Sequence, residues 1–447
     1  MSVGETIFAL SSGAGKAGIA VLRISGPMAR EATLRLCGTL PAPRVARYGQ
    51  FREPVSGEVL DSGISLWFPG PRSATGEDVA EFHVHGGRAV VEALFGVLKT
   101  LENTRLALPG EFLRRAFAAG KADLIEIEGL ADLLNAETAA QRRLAMRQAG
   151  GFASGVFEGW RNSLLQLAAH VEALVDFGDE EDVARLESGQ FSDRIRVLAG
   201  SMSAELERAL IGRPVRQGFK VVLAGLPNTG KSSLLNALAR RDVAIVSPLP
   251  GTTRDAIEAP LEIDGLLVTL TDTAGLRKVT ADEIEMIGIG RSRRELERAD
   301  LVVWVSAYDV DGSANISWGG SVDIAVRNKC DIQDLELRLA RNEDNGTGIA
   351  VSARTGQGID RLLNEIGRLL RSRYGQGEAA LLVRERQVQA VQESIRSLND
   401  AAGHVGGPLE VLAEDLRRAG VALARLTGRI DVEDMLAAIF SEFCIGK

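Results

Sequence analysis

The run Gly225-Leu-Pro-Asn-Thr-Gly230-Lys231-Ser232 has the spacing of a phosphate-binding loop, GxxxxGKS, between an apolar run and a helical one. Its glycines let backbone N–H groups turn toward phosphate oxygens. Lys231 supplies a cation for the β- and γ-phosphates, and the Ser232 hydroxyl is a ligand for Mg²⁺. The helix that the loop opens adds the positive end of its dipole. Asp272-Thr273-Ala274-Gly275 ends an apolar run, which puts a carboxylate near that Mg²⁺ and a glycine N–H near the terminal phosphate. Asn328-Lys329-Cys330-Asp331 ends another. Its Asp can accept two hydrogen bonds from the guanine ring N–H and exocyclic amine, an edge that adenine lacks. Ser352-Ala353 suits a backbone N–H to guanine O6. Four runs in this order predict a GTP site, with Lys231 and Asp272 among its catalytic members.

Other residues invite chemistry less directly. Ser11-Ser-Gly-Ala-Gly15-Lys16-Ala17 imitates a phosphate loop but has Leu10 in place of the first glycine and Ala17 in place of the hydroxyl, so it reads as a Gly-rich turn. Leu276 follows Gly275, where Ras-like proteins carry a water-orienting Gln, so the group that positions water must come from elsewhere. Asn228 sits inside the phosphate loop with a side-chain oxygen suited to a monovalent cation. Asp282, Glu283 and Glu285 are either part of a nucleotide-sensitive segment or a solvated face. His83 and His85 alternate on one strand face, but two His without a third ligand are assigned no metal. Cys444 is open between a reactive thiol and a small residue packed beside Phe443; Cys330 reads as packing.

The elements that must hold these residues follow from periodicity. Residues 1–118 mix short apolar runs (Ile19–Ile24, Ile64–Phe68, Val79–Val84) with Gly/Pro turns and a helix near Val90–Leu98, a small α+β domain. Residues 119–213 turn helical, with Leu124, Ile127, Ala131 and Leu134 on one face, then Leu164, Leu167, Val171 and Leu174. The run Ile211–Gly218, with its glycines and Pro214, is expected to break that pattern. Residues 214–377 alternate strands and helices, as in a doubly wound parallel sheet. Strands are expected at Lys220–Ala224, Leu261–Ile263, Leu267–Thr271, Leu301–Ser306, Val322–Val326 and Ile349–Ser352, with a tight turn at Asp264-Gly265. The irregular run Val305–Val322 leaves the register before Asn328 open. Residues 378–447 return to helical spacing, ending in a stripe from Val432 to Phe443 with Asp431 as N-cap. The two helical stretches read as one discontinuous domain around an inserted α/β P-loop domain.

Composition bounds the rest. With 45% hydrophobic and 25% charged residues the chain can bury real cores. A net charge of −8 argues against a surface that grips nucleic acid by itself. Three cysteines (Cys37, Cys330, Cys444) make neither a disulfide framework nor a zinc site and fit a reducing compartment. The first residues lack a targeting pattern and no apolar run would span a bilayer, so a cytoplasmic location is expected.

Together, GLPNTGKSSLLN, PGTTRD at Pro250–Asp255, DTAGLR, NKCD and a closing FCIGK closely resemble the MnmE (TrmE) family of tRNA-modification GTPases. Leu22-Arg23-Ile-Ser-Gly26, Thr75-Gly-Glu-Asp78, Glu81 and His85-Gly-Gly87 extend the resemblance over essentially the whole chain. It implies a GTP hydrolase contacting nucleotide through Asn228, Thr229, Gly230, Lys231, Ser232 and Ser233, then Ser247, Pro248, Leu249, Pro250, Gly251, Thr252 and Thr253. Thr273, Ala274 and Gly275 follow Asp272, and Asn328–Asp331 with Ser352, Ala353 and Arg354 hold the base. It implies Mg²⁺ on Ser232 and Thr253, and K⁺ on Asn228, Ser247, Leu249 and Thr252 in place of an arginine finger. It makes Glu285 the residue that positions water. It implies 5-formyl-tetrahydrofolate on Arg23, Glu81, Lys121 and Lys447, a homodimer whose G domains approach during hydrolysis, an MnmG-type FAD partner, and tRNA as substrate. A non-modifying switch GTPase of ribosome assembly or translation is the competing class.

Overall fold

A computed structural model describes residues 4–13, 15–177, 188–240, 258–272, 296–309, 321–332, 348–375, 380–428 and 446. The chain divides into two compact units, Met1–Ala131 with Gln148–Ala168 and Arg417–Lys447, and Asp132–Arg147 with Ala169–Leu416.

The first unit is built on a six-stranded sheet of order β3-β4-β5-β2-β1-β6. Its strands are β1 (Thr6–Leu10), β2 (Ala17–Ser25), β3 (Arg47–Arg52), β4 (Val59–Phe68), β5 (Val79–Gly86) and β6 (Thr104–Leu106). Alternation along β2 sends Ala20, Leu22 and Ile24 to one face, where they join Phe8, Leu94 and Leu98 in a core with α1 (Ala29–Cys37) and α2 (Arg88–Lys99). On the other face, Ile7 and Ala9 pack with Ala107 and with Phe112 of α3 (Glu111–Ala118). Arg23 pairs in register with Ala9 on one side and Glu81 on the other, so it belongs to that second face. Helix α4 (Leu124–Leu134) buries Leu124, Ile127 and Ala131 as its spacing predicts, but Leu134 is 46% exposed and leaves the expected stripe.

In the second unit β7 (Phe219–Ala224), β9 (Leu266–Asp272), β10 (Leu301–Ala307), β11 (Ile324–Asn328) and β12 (Ile349–Ala350) run parallel, and β8 (Glu258–Ile263) joins the edge antiparallel. The order is β12-β11-β10-β7-β9-β8. The Asp264-Gly265 turn forms with positive φ at both residues, 53° and 81°, the geometry that suits a two-residue hairpin. Val303 pairs with Ile324 and Ala307 with Asn328, which fixes the register that the irregular run had left open. β11 therefore begins at Ile324 instead of Val322, and β12 ends at Ala350 instead of Ser352. Helices α8 (Lys231–Ala239) and α9 (Ile359–Tyr374) contribute Leu234, Leu238, Ile359, Leu362 and Ile366 to the sheet's core.

The helices α5 (Ala139–Ala149), α6 (Phe152–Phe177), α7 (Ser188–Gln217), α10 (Glu385–His404) and α11 (Leu409–Thr427) supply the helical domain. The expected break over Ile211–Gly218 does not occur: α7 runs through Pro214 to Gln217. Tertiary contacts outweigh the local punctuation. Ala209 and Val215 are buried, Arg213 pairs with Glu385 of α10, and Arg216 and Arg384 share the Asp132 carboxylate. Among the described residues no helix is long and apolar enough to cross a membrane. The stripe expected from Asp431 to Phe443 lies outside the described residues.

Candidate functional site

Parallel strands carry their following loops to one edge of the sheet, the usual place for a ligand in this architecture. Leu223 pairs with Asp272, and Ala307 with Asn328, so the phosphate loop and both motif carboxyl ends arrive there together. The loop's path depends on two glycines. A Cβ on Gly225 (φ +149°) would stand 2.1 Å from the Val305 carbonyl oxygen, and one on Gly230 (φ +86°) 2.4 Å from Asn328 Nδ2. Gly230 also caps α8, leaving its first N–H groups facing the loop.

Lys231 is buried, and its ammonium donates to the carbonyl oxygens of Gly225 (3.0 Å) and Leu226 (2.7 Å), folding it back over the loop. The Ser232 hydroxyl donates to the Asp272 carboxylate, bringing the two expected Mg²⁺-side groups into contact. Both arrangements suit phosphate and Mg²⁺. The ammonium has carbonyls to exchange for phosphate oxygens, and the hydroxyl–carboxylate pair offers hard oxygen donors. Asn228 is exposed, with φ 64°, and its backbone carbonyl accepts from Lys329 Nζ at 2.9 Å. Lys329 also reaches Asp309 at 2.7 Å.

The base side is organised by Asn328. Its Nδ2 donates to the Thr229 carbonyl (3.0 Å), and its Oδ1 accepts from the Ala353 N–H (3.1 Å), so one buried amide ties the phosphate loop to the loop after β12. The Ser352 N–H, by contrast, is engaged with the Gln357 carbonyl. Asp331 accepts from the Ser352 hydroxyl at 2.6 Å and pairs with Arg354 at 2.9 Å. The Ser352 hydroxyl above all, helped by Arg354, holds its carboxyl below the usual range, so the acceptor stays charged. Sequence reasoning gave Ser352 a backbone role and missed this hydroxyl; a hydroxyl 21 residues from the acid carries no local signal. The Cys330 N–H donates to the Val351 carbonyl, and the residue is half-buried.

On the first unit's second face, Arg23 Nε donates to Glu81 at 2.8 Å and its guanidinium lies 5.8 Å from the Phe112 ring centre. His83 is on the same strand face; its Nε2 is buried with no hydrogen-bond partner, 3.8 Å from the Glu81 carboxylate. A salt-bridged pair beside an unsatisfied buried nitrogen is a place where a polar ligand would complete the hydrogen bonding. Lys121 lies on the exposed turn after α3. His85 pairs with Asp61, and among the described residues no three His, Cys, Asp or Glu are grouped to hold a metal. Burial pushes the pKa of the Cys37 thiol up to about 11, which disfavours the thiolate near neutral pH. Ser247–Thr253, Thr273–Gly275, Asp282, Glu283, Glu285, Cys444 and Lys447 lie outside the described residues.

Two family models match the chain. One, described as the MnmE helical domain, covers residues 124–444; the other, the GTP-binding protein TrmE N-terminus, covers residues 6–121. Among curated relatives named tRNA modification GTPase MnmE, that of Azorhizobium caulinodans is 48% identical, with 99% of each chain covered. Those of a Bradyrhizobium species (45%, 99% of each) and Mesorhizobium japonicum (46%, 100% of each) are similar along their full length too. A phosphate loop braced to the Asn328–Asp331 run, in a chain that matches from end to end, leaves one conclusion: the chain belongs to the MnmE family of tRNA modification GTPases.

Proposed function

We propose that this chain is a K⁺-dependent GTPase that works with a flavin-dependent partner of the MnmG type. Together they add a carboxymethylaminomethyl-type group to C5 of the tRNA wobble uridine, with one carbon from 5-formyl-tetrahydrofolate. The observation that carries the reading is the braced guanine site, Asn328 to Thr229 and Ala353 with Asp331 at its mouth, in a chain that matches such enzymes over its whole length.

On GTP binding, Lys231 exchanges loop carbonyls for phosphate oxygens, and Asp331 exchanges its Ser352 and Arg354 contacts for the guanine N–H edge. Ser232 and Asp272 would hold Mg²⁺, directly and through water, and Mg²⁺ would neutralise charge on the phosphates. Asn228 would hold K⁺ with oxygens of Ser247, Leu249 and Thr252, placing positive charge where an arginine finger acts in other GTPases. Thr253 would complete the Mg²⁺ shell and Glu285 would orient the attacking water. Arg23 and Glu81 would receive the folate, a cation for its glutamate tail and a carboxylate for its pterin, with Lys121 and Lys447 nearby. The orphaned Nε2 of His83 supports a polar ligand there.

Mass spectrometry of tRNA nucleosides from a strain lacking this chain is expected to show loss of the C5-modified wobble uridine. An unchanged nucleoside profile, together with no binding of formyl-tetrahydrofolate by the purified chain, would return the protein to the switch-GTPase class.

A further inference from the structure

The Gly-rich run Ser11–Lys16, which imitates a phosphate loop, opens no helix: it joins β1 to β2 as an antiparallel hairpin. Inside it, the Ser11 N–H donates to Val21 (2.7 Å) and the Ser12 hydroxyl accepts from the Val21 N–H (3.1 Å). The Ser11 hydroxyl is thereby left to point elsewhere. It donates to the Gly446 carbonyl at 2.7 Å, across 435 residues of sequence.

Gly446 is buried and packed against this hairpin so closely that only glycine fits. A Cβ there would stand 2.0 Å from the Leu10 carbonyl oxygen, 2.7 Å from its carbon and 3.1 Å from Ser11 Cα, all backbone atoms that cannot rotate away. Its φ of +107° is also one that side chains rarely adopt. The contact is adjacent to the Arg23–Glu81 pair on the sheet. Leu10 pairs with Leu22, and the next pair along the two strands is Ala9 with Arg23, which itself pairs with Glu81.

We propose that Ser11 and Gly446 are positioning residues: the contact anchors Gly446 on the β1–β2 hairpin, beside the Arg23–Glu81 site, and so helps to organise that site. The absence of a side chain at Gly446 is what permits the anchor, and the Ser11 hydroxyl holds it. The mimic of a phosphate loop is on this reading a docking loop for Gly446. The consequence for ligand binding rests on the folate reading given above; the anchor itself does not.

The test uses the full-length chain and two readouts. In Gly446→Ala, backbone amides of the peptide over Leu10–Val21 should exchange hydrogen for deuterium faster than in the unaltered chain, while GTP hydrolysis, which uses residues of the second unit, stays unchanged. Formyl-tetrahydrofolate binding should weaken about tenfold, because the hairpin beside Arg23 is no longer held by Gly446 beforehand. Ser11→Ala should reproduce both changes more mildly, and Ser11→Thr, which keeps the hydroxyl, should restore them. Unaltered exchange over Leu10–Val21 in Gly446→Ala overturns the anchor. If exchange quickens and the unaltered chain itself binds no folate, the anchor stands and the folate reading falls.

Discussion

At the scale of single residues, Asp331 is the group proposed to select the base. Its carboxylate is kept charged by Ser352 and Arg354 until a base arrives, so on the proposed reading it would meet guanine as a pure acceptor. Asp331→Asn replaces one acceptor oxygen by a donor and leaves a guanine N–H facing another N–H. GTP affinity should fall about a hundredfold while xanthosine triphosphate gains, measured by competition for a fluorescent nucleotide. Retained preference for GTP would contradict the assignment. The residue types here were legible from the motif alone. What was not legible was their mutual service: the Ser352 hydroxyl on Asp331, Lys329 reaching the carbonyl of Asn228, and the Phe112 ring beneath Arg23. Each joins residues from different elements, and no local pattern records a contact of that kind.

At the scale of elements, the end of α7 is the instructive case. Gly212, Pro214 and Gly218 read as a stop, yet the helix continues, because Asp132 gathers Arg216 at 3.0 Å and Arg384 at 2.8 Å while Val215 is buried. Asp132→Ala should therefore destabilise the second unit by about 2 kcal/mol, since two half-buried guanidinium groups lose a shared counter-ion. A fall of a few degrees in the thermal midpoint would register it; an unchanged midpoint would mean that packing alone carries the helix through Pro214. Strands were read more reliably than this helix. β7, β9 and β10 are apolar runs with turn residues at their ends, and a buried parallel strand has little else to say. Helix α1 went unread: Ala29–Cys37 buries only small residues and Leu36, so its apolar face is faint in sequence.

At the scale of the whole molecule, Leu276 stands where Ras-like proteins carry Gln, and the proposed hydrolysis takes help from a cation in place of an arginine finger as well as from Glu285. If that help is K⁺ held by Asn228, hydrolysis should be about tenfold or more faster in K⁺ than in Na⁺ at equal ionic strength. Asn228→Ala should bring the K⁺ rate down to the Na⁺ rate. Equal rates in the two salts would remove Asn228 from any cation site. The layout of an α+β domain, a discontinuous helical domain and an inserted P-loop domain was legible because composition and periodicity change together along the chain. The meeting of Ser11 with Gly446 was not, since its two partners stand at opposite ends of the sequence.

The two hydrogen bonds that tie Asn328 to Thr229 and Ala353 have one more implication. Thr229 and Ala353 lie on loops from different strands, and a single rigid amide sets the gap between them before any nucleotide arrives. That gap works as a gauge. Its width is settled when the domain folds, so little ordering of these two loops remains to oppose the nucleotide proposed to bind beside them.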